Sequence, residues 1–140
     1  VRDLANVLES KGAEGEYGIL PVAGRMRGRM SVVVAEGNSP FVEVRGREVV
    51  IPSGAQTGVA SVSGAGGVVN PVAREDSGNP IAGMPILDVD KARTCVVVKR
   101  SLSPGFAGIP NPLFAADTTL MLFGDGKKAL LELVAALKAQ

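Results

Sequence analysis

Thr94-Cys95-Val96-Val97-Val98-Lys99-Arg100-Ser101 decides how this chain is read. A short valine-rich run closed by polar residues reads as a buried strand of a parallel sheet. A parallel strand in an α/β sheet delivers its C-terminal residues to the edge where ligands bind. There Lys99 supplies a point charge, Arg100 a planar fork and Ser101 a short donor, a set suited to a phosphate group. The plain alternative is a strand followed by solvated cations. Leu102-Ser103-Pro104-Gly105-Phe106-Ala107-Gly108-Ile109-Pro110-Asn111-Pro112 follows, with the punctuation of an irregular loop and one aromatic at its middle. Such a loop is usually functional or disordered.

The same transition recurs on either side. A strand at 59–63 runs into Gly64-Ala65-Gly66-Gly67, and a strand at 119–123 runs into Gly124-Asp125-Gly126. A short strand at 17–20 precedes the basic loop Ala23-Gly24-Arg25-Met26-Arg27-Gly28. A helix is predicted over 127–139, with Leu130, Leu131, Leu133, Val134 and Leu137 as its apolar face and Asp125 as its cap. A helix at 1–11 stops at Lys11-Gly12, and another is predicted at 29–36. Residues 41–44 and 48–51 read as strands. Asn70 caps a short helix with Pro71 at its first position. Residues 81–88 read as a short strand or an extended connection, and Asp88 and Asp90 as solvated residues beside a turn. Strands alternating with helices give an α/β, doubly wound, mostly parallel sheet with helices on both faces. In that fold the glycine turns share one edge, where Arg25, Arg27, Lys99 and Arg100 converge. Glycines admit phosphate close to backbone N–H groups, so the constellation suits a nucleotide or dinucleotide.

Bulk composition narrows the field. The 140 residues fit one domain. With 15 Lys and Arg against 14 Asp and Glu, the chain lacks the strong basic excess of a general nucleic-acid binder. It contains no histidine, which excludes imidazole relays and Ser-His-Asp triads within these residues. Its one cysteine, Cys95, falls inside the buried-strand pattern and reads as a core thiol. No apolar run reaches the length that crosses a bilayer. No catalytic acid, base or nucleophile and no metal set stands out, so the chain reads as a binding domain whose ligand carries the reactive atoms.

Five words in order carry a family resemblance: Pro21-Val22-Ala23-Gly24-Arg25-Met26, Gly83-Met84-Pro85-Ile86-Leu87-Asp88-Val89, Val98-Lys99-Arg100-Ser101, Gly105-Phe106-Ala107-Gly108 and Met121-Leu122-Phe123-Gly124-Asp125-Gly126-Lys127-Lys128. Over nearly its whole length the chain resembles the NADP(H)-binding domain, at the C-terminal end of the β subunit, of proton-translocating NAD(P) transhydrogenase. The resemblance implies a Rossmann-like fold, single over 1–140, that binds NADP(H). It implies that Lys99, Arg100 and Ser101 hold the 2′-phosphate and that Leu102, Ser103, Pro104, Gly105 and Phe106 begin a lid. Val22, Ala23, Gly24, Arg25, Met26 and Arg27 meet the pyrophosphate region on this basis. Gly64, Ala65, Gly66, Gly67, Val68, Gly83 and Met84 line the site, and Asp125 and Gly126 meet the adenosine end. The implied activity is hydride exchange between NADP(H) here and NAD(H) on a partner domain, coupled by a membrane domain to protons, at the cytoplasmic face of the inner membrane.

The sequence departs from the family pattern at several points. The family's opening strand and its Gly-Tyr-Gly loop are not found, so the reading expects an N-terminally truncated domain. Leu20 stands for a histidine, and Arg27-Gly28-Arg29-Met30-Ser31 for Pro-Gly-His-Met-Asn. Gly66-Gly67 stands for Asn-Asp, removing an acid that the family associates with proton coupling, and Phe106 stands for a lid tyrosine. The alternative expectation is a degenerate, non-enzymatic relative with weak or lost nucleotide binding.

Overall fold

Three valine- and leucine-rich segments form the sheet that positions everything else: β3 (Val59–Ser63), β4 (Thr94–Lys99) and β5 (Thr119–Phe123), all parallel, with β4 in the middle. The computed structural model describes residues 1–18, 44–45, 56–64, 66–104 and 108–140. Before the sheet come α1 (Arg2–Ser10), β1 (Tyr17–Gly18) and β2 (Val44–Arg45); β1 and β2 form a short parallel pair of their own. Among the described residues no strand joins that pair to β3. After β3 come a 3₁₀ turn at Gly67–Val69 and the single helical turn α2 (Val72–Glu75); another 3₁₀ turn, Pro112–Ala115, precedes β5, and α3 (Gly126–Lys138) follows it. The fold is α/β and Rossmann-like.

The two connections pack onto one face of β4. Cys95 and Val97 point to that face and are fully excluded from solvent. Val62, Val69, Leu87, Leu113 and Phe114 gather over them into one cluster. Alternation puts Val98 on the opposite face, where it is also buried. Thr94 and Val96 are half-buried, so β4 is less enclosed than a strand covered all along both sides. The helix α3 packs against β4, and α1 packs against α3.

The predicted strands at 59–63 and 119–123 and the helices at 1–11 and 127–139 are present within a residue or two. Residues 81–88 take the connecting reading: a turn at 81–83, then no regular structure. The short helix predicted with Asn70 as cap and Pro71 first starts one residue later, at Val72, with Pro71 at the cap position; Asn70 Oδ1 accepts the Val72 N–H at 3.1 Å in a turn before it. On α3, Leu131 is 52% exposed and Ala129 is buried beside Val134, so the buried stripe differs from the predicted one at those positions. The predicted helix at 29–36, the strand at 48–51 and the basic loop at 23–28 lie outside the described residues. Among the described residues no helix is long and apolar enough to cross a membrane.

Asp125 is the cap that the sequence predicts: its Oδ2 accepts the Lys128 N–H at 3.2 Å. Losing such a cap costs about 1 kcal/mol. Asp125→Ala therefore lowers the unfolding free energy by about that amount in a denaturant titration, whereas Asp125→Ser retains most of it.

Candidate functional site

The register of the sheet builds one edge. Ser63 lies opposite Val98, and Lys99 opposite Phe123, so the three strands finish nearly level. Gly64, Arg100 and Gly124 then follow on the same side. Gly64 has φ +69°, a left-handed conformation that glycine takes without Cβ strain, and it turns the chain out of β3. The Gly124 N–H donates to the Lys99 carbonyl at 2.9 Å, which brings Gly124, Asp125 and the start of α3 beside the end of β4. The N-terminus of this 13-residue helix adds partial positive charge there.

At the end of β4 the chain folds back on itself. The Lys99 ammonium donates to the Ser103 carbonyl at 2.7 Å and lies 4.5 Å from the centre of the Phe114 ring. Ser101 Oγ accepts the Ser103 N–H at 3.3 Å. Leu102, Ser103 and Pro104 are exposed. Arg100 is exposed too, and among the described residues its guanidinium has no hydrogen bond or ion pair. Lys99, Arg100 and Ser101 thus offer two positive charges and a hydroxyl on one short arc, with Arg100 uncommitted among the described residues. That donor set fits a phosphate monoester.

Beside this arc is a shallow cleft with about 20 Å³ of enclosed space, lined among others by Gly66, Gly67, Asn70, Pro104, Asn111 and Phe114. That is room for a water-sized group and not for a dinucleotide. Phe114 belongs both to the cleft wall and to the Lys99 contact, so the cleft and the cationic arc are continuous. Gly83 and Met84 reach the same region. The Gly83 N–H donates to the Ala73 carbonyl at 2.8 Å with φ +75°, and Met84 Cε lies 3.8 Å from where a Cβ on Gly67 would stand. The Leu87 N–H donates to the Val68 carbonyl at 2.7 Å, tying that stretch to the turn after β3.

The structure therefore brings together Gly64, Gly66, Gly67, Val68, Gly83, Met84 and Lys99 to Pro104, with Asp125 and Gly126 next to Lys99 on the strand edge. Val22 to Arg27, Ala65, Gly105 and Phe106 lie outside the described residues. Packing does not demand glycine at 66 or 67: a Cβ on Gly66 meets nothing within 4 Å, and one on Gly67 meets only Met84 Cε.

Burial pushes the Cys95 thiol up to about 11, so it stays protonated and unreactive at neutral pH. Asp88 and Asp90 are not simply solvated. Arg74 bonds Asp88 Oδ1 at 2.5 Å and Asp90 Oδ2 at 2.7 Å and also reaches Glu75 at 3.1 Å. The bond to Asp90 is the main reason that Arg74 holds its proton more tightly than usual. This ion-pair group closes the connection carrying Gly83 and Met84. A polar stretch between two apolar segments gives no hint of such pairing, because the partners are brought together only by the turn at 76–83.

The sequence reading also passed over Asn111 and Phe114. A signal for Asn111 was present. Asn70-Pro71, Asn79-Pro80 and Asn111-Pro112 repeat one dipeptide, and in each the Asn side-chain oxygen accepts the N–H two residues on, at 3.1, 3.3 and 3.0 Å. Asn-Pro favours turn initiation.

Residues 1–136 match the model of the NAD(P) transhydrogenase beta subunit family. The chain belongs to that family. Two proteins of Rhodospirillum rubrum, both named NAD(P) transhydrogenase subunit beta, are 48% identical to it over 137 residues. The match covers 98% of this chain and 30% of each relative, so the chain spans about a third of the beta subunits it resembles. Family membership makes the chain part of a transhydrogenase beta subunit. In this beta-subunit segment, Lys99-Arg100-Ser101 and Gly124-Asp125-Gly126, from two of the family words, fall on one edge of one sheet.

Proposed function

We propose that residues 1–140 form a single NADP(H)-binding domain of a transhydrogenase beta subunit. The observation that supports this most directly is the Lys99-Arg100-Ser101 arc at the end of the central parallel strand, with the Arg100 guanidinium uncommitted among the described residues. A 2′-phosphate is the group that separates NADP(H) from NAD(H), and a fork, a point charge and a hydroxyl are the groups that bind it. Gly66 and Gly67 line the neighbouring cleft, and Met84 packs beside Gly67; in this reading Gly64 to Val68 and Gly83-Met84 contact the cofactor. On the same reading Leu102 to Phe106 serve as a lid on the bound cofactor, and Val22 to Arg27 meet its pyrophosphate.

When bound, the dinucleotide supplies the hydride-transferring ring. The protein's part is to bind it, to orient it and to keep water from it; no side chain of the described site serves as acid or base. Hydride passes to or from NAD(H) on a partner domain, a membrane domain couples this to protons, and the assembly stands at the cytoplasmic face of the inner membrane. Gly66 and Gly67 favour a second reading in one respect. The acid that the family associates with coupling is missing where packing leaves room for it, so nucleotide binding is retained and proton coupling is weakened or lost.

Parallel calorimetric titrations of the full chain with NADPH and NADH test the proposal. Tight binding of NADPH and weak binding of NADH is the expected result. Equal affinity for the two overturns the 2′-phosphate assignment, and a folded protein that binds neither is the degenerate relative.

A further inference from the structure

We propose that Asn70 and Asn111 are positioning residues that clasp the two ligand-lining connections to each other and so fix the width of the cleft between them. This rests on the nucleotide-binding reading above. Asn70 follows β3 and is 2% exposed, the one buried polar side chain among the described residues. Its Nδ2 donates to the Pro110 carbonyl, 40 residues on, at 3.1 Å. Asn111 follows β4, and its Nδ2 donates back to the Gly66 carbonyl, 45 residues away, at 3.0 Å. Each oxygen is spent locally, on the Val72 and Leu113 N–H groups respectively. Each amide thus caps its own turn with one end and holds the opposite connection with the other.

The placement is specific. Both asparagines line the cleft, and so do Gly66 and Gly67 on one bank and Phe114 on the other. One bond ends on the glycine turn, and the other ends in the connection that leaves the Lys99 arc. A ligand touching both banks needs that spacing, whereas a ligand touching only the arc does not. Breaking the part-buried hydrogen bond between the banks should therefore weaken the spanning ligand alone.

Asn111→Ser isolates the effect. Serine is a good cap and keeps the bond to the Leu113 N–H, but it is too short to reach the Gly66 carbonyl. NADPH is the spanning probe, and adenosine 2′-monophosphate, which carries only the phosphate end, is the probe for the arc. In the full chain we expect Asn111→Ser to weaken NADPH about tenfold and to leave adenosine 2′-monophosphate within twofold. Amide hydrogen exchange without ligand supplies a second reading: protection should fall at residues 66–70, across the cleft from the substitution. Unchanged NADPH affinity, equal weakening of both probes, or exchange confined to 108–115 overturns the clasp. If the unsubstituted chain binds neither probe, the nucleotide reading fails, and the exchange result still decides whether the banks are coupled.

Discussion

The double substitution Lys99→Ala/Arg100→Ala lowers NADPH affinity by about a hundredfold and leaves NADH affinity nearly unchanged. Hydrogen bonds to charged groups contribute about 1.5–3 kcal/mol each, and partial exposure of the arc argues for the lower end. Two such losses sum to about 3 kcal/mol, and each 1.4 kcal/mol is tenfold. The single changes should differ in kind. Arg100→Ala removes only a ligand-facing cation, because the guanidinium has no other engagement among the described residues. Lys99→Ala also removes the bond to the Ser103 carbonyl and the contact with the Phe114 ring, which loosens the start of the loop at 101–104. Its effect should therefore include greater mobility of residues 101–104, at a cost to any dinucleotide that is small beside the loss of the phosphate contact. Titration of the three variants with both nucleotides checks this. Equal loss for NADH in Arg100→Ala would falsify the assignment of that residue to the 2′-phosphate.

Leu113→Ala lowers the unfolding free energy by about 3 kcal/mol. Leu113 is 1% exposed and packs in the cluster with Val62, Val69, Cys95, Val97 and Phe114. Truncating a buried leucine removes its transfer free energy and leaves a cavity, about 2–5 kcal/mol together. The neighbours here are strand residues and a short 3₁₀ turn, which collapse poorly into a void, so the low end of that range is not expected. For a chain of this size the melting temperature falls by about 10 °C. A functional consequence follows from sequence adjacency. Leu113 anchors the turn that carries Phe114, and Phe114 forms both a cleft wall and the platform for Lys99. NADPH affinity should therefore drop together with stability, whereas Val134→Ala on α3, also buried but remote from the turn, should lower stability alone. Thermal melts with and without NADPH separate the two.

The parallel core of the sheet was legible in the sequence for a simple reason. Residues 94–99 and 119–123 are short apolar runs ended by charge or glycine, the local pattern of a parallel sheet, and 59–63, with its two serines, was marked by the glycine turn that ends it. The cap at Asp125 and the stop at Lys11-Gly12 were legible because capping acts within one turn of the chain. The position of the cationic arc followed from the strand alone, since a parallel strand fixes where its last residues go. Only the family words pointed from a phosphate to NADP(H), and the family match supports that reading at the level of the beta subunit.

Other features depended on partners far away in sequence. Arg74 and the two aspartates looked like solvated charges because nothing local pairs them; the turn at 76–83 does so. Leu131 belonged to the apolar stripe by periodicity, yet the surface that α3 presents to β4 and α1 leaves it exposed. Asn70 read as a helix cap, but the cap position falls to Pro71; the Asn70 oxygen instead closes the turn on the Val72 N–H, and its amide reaches across to the Pro110 carbonyl. What the sequence determined by itself is whatever the backbone can enforce within a few residues: strand, cap, turn and the order of charges along them. What only the tertiary structure decided is which of those turns face each other. The amide of Asn70 meets the Pro110 carbonyl, and that of Asn111 meets the Gly66 carbonyl, only because β3 and β4 lie side by side in parallel and finish level. Two hydrogen bonds spanning 40 and 45 residues leave no periodic trace in the chain.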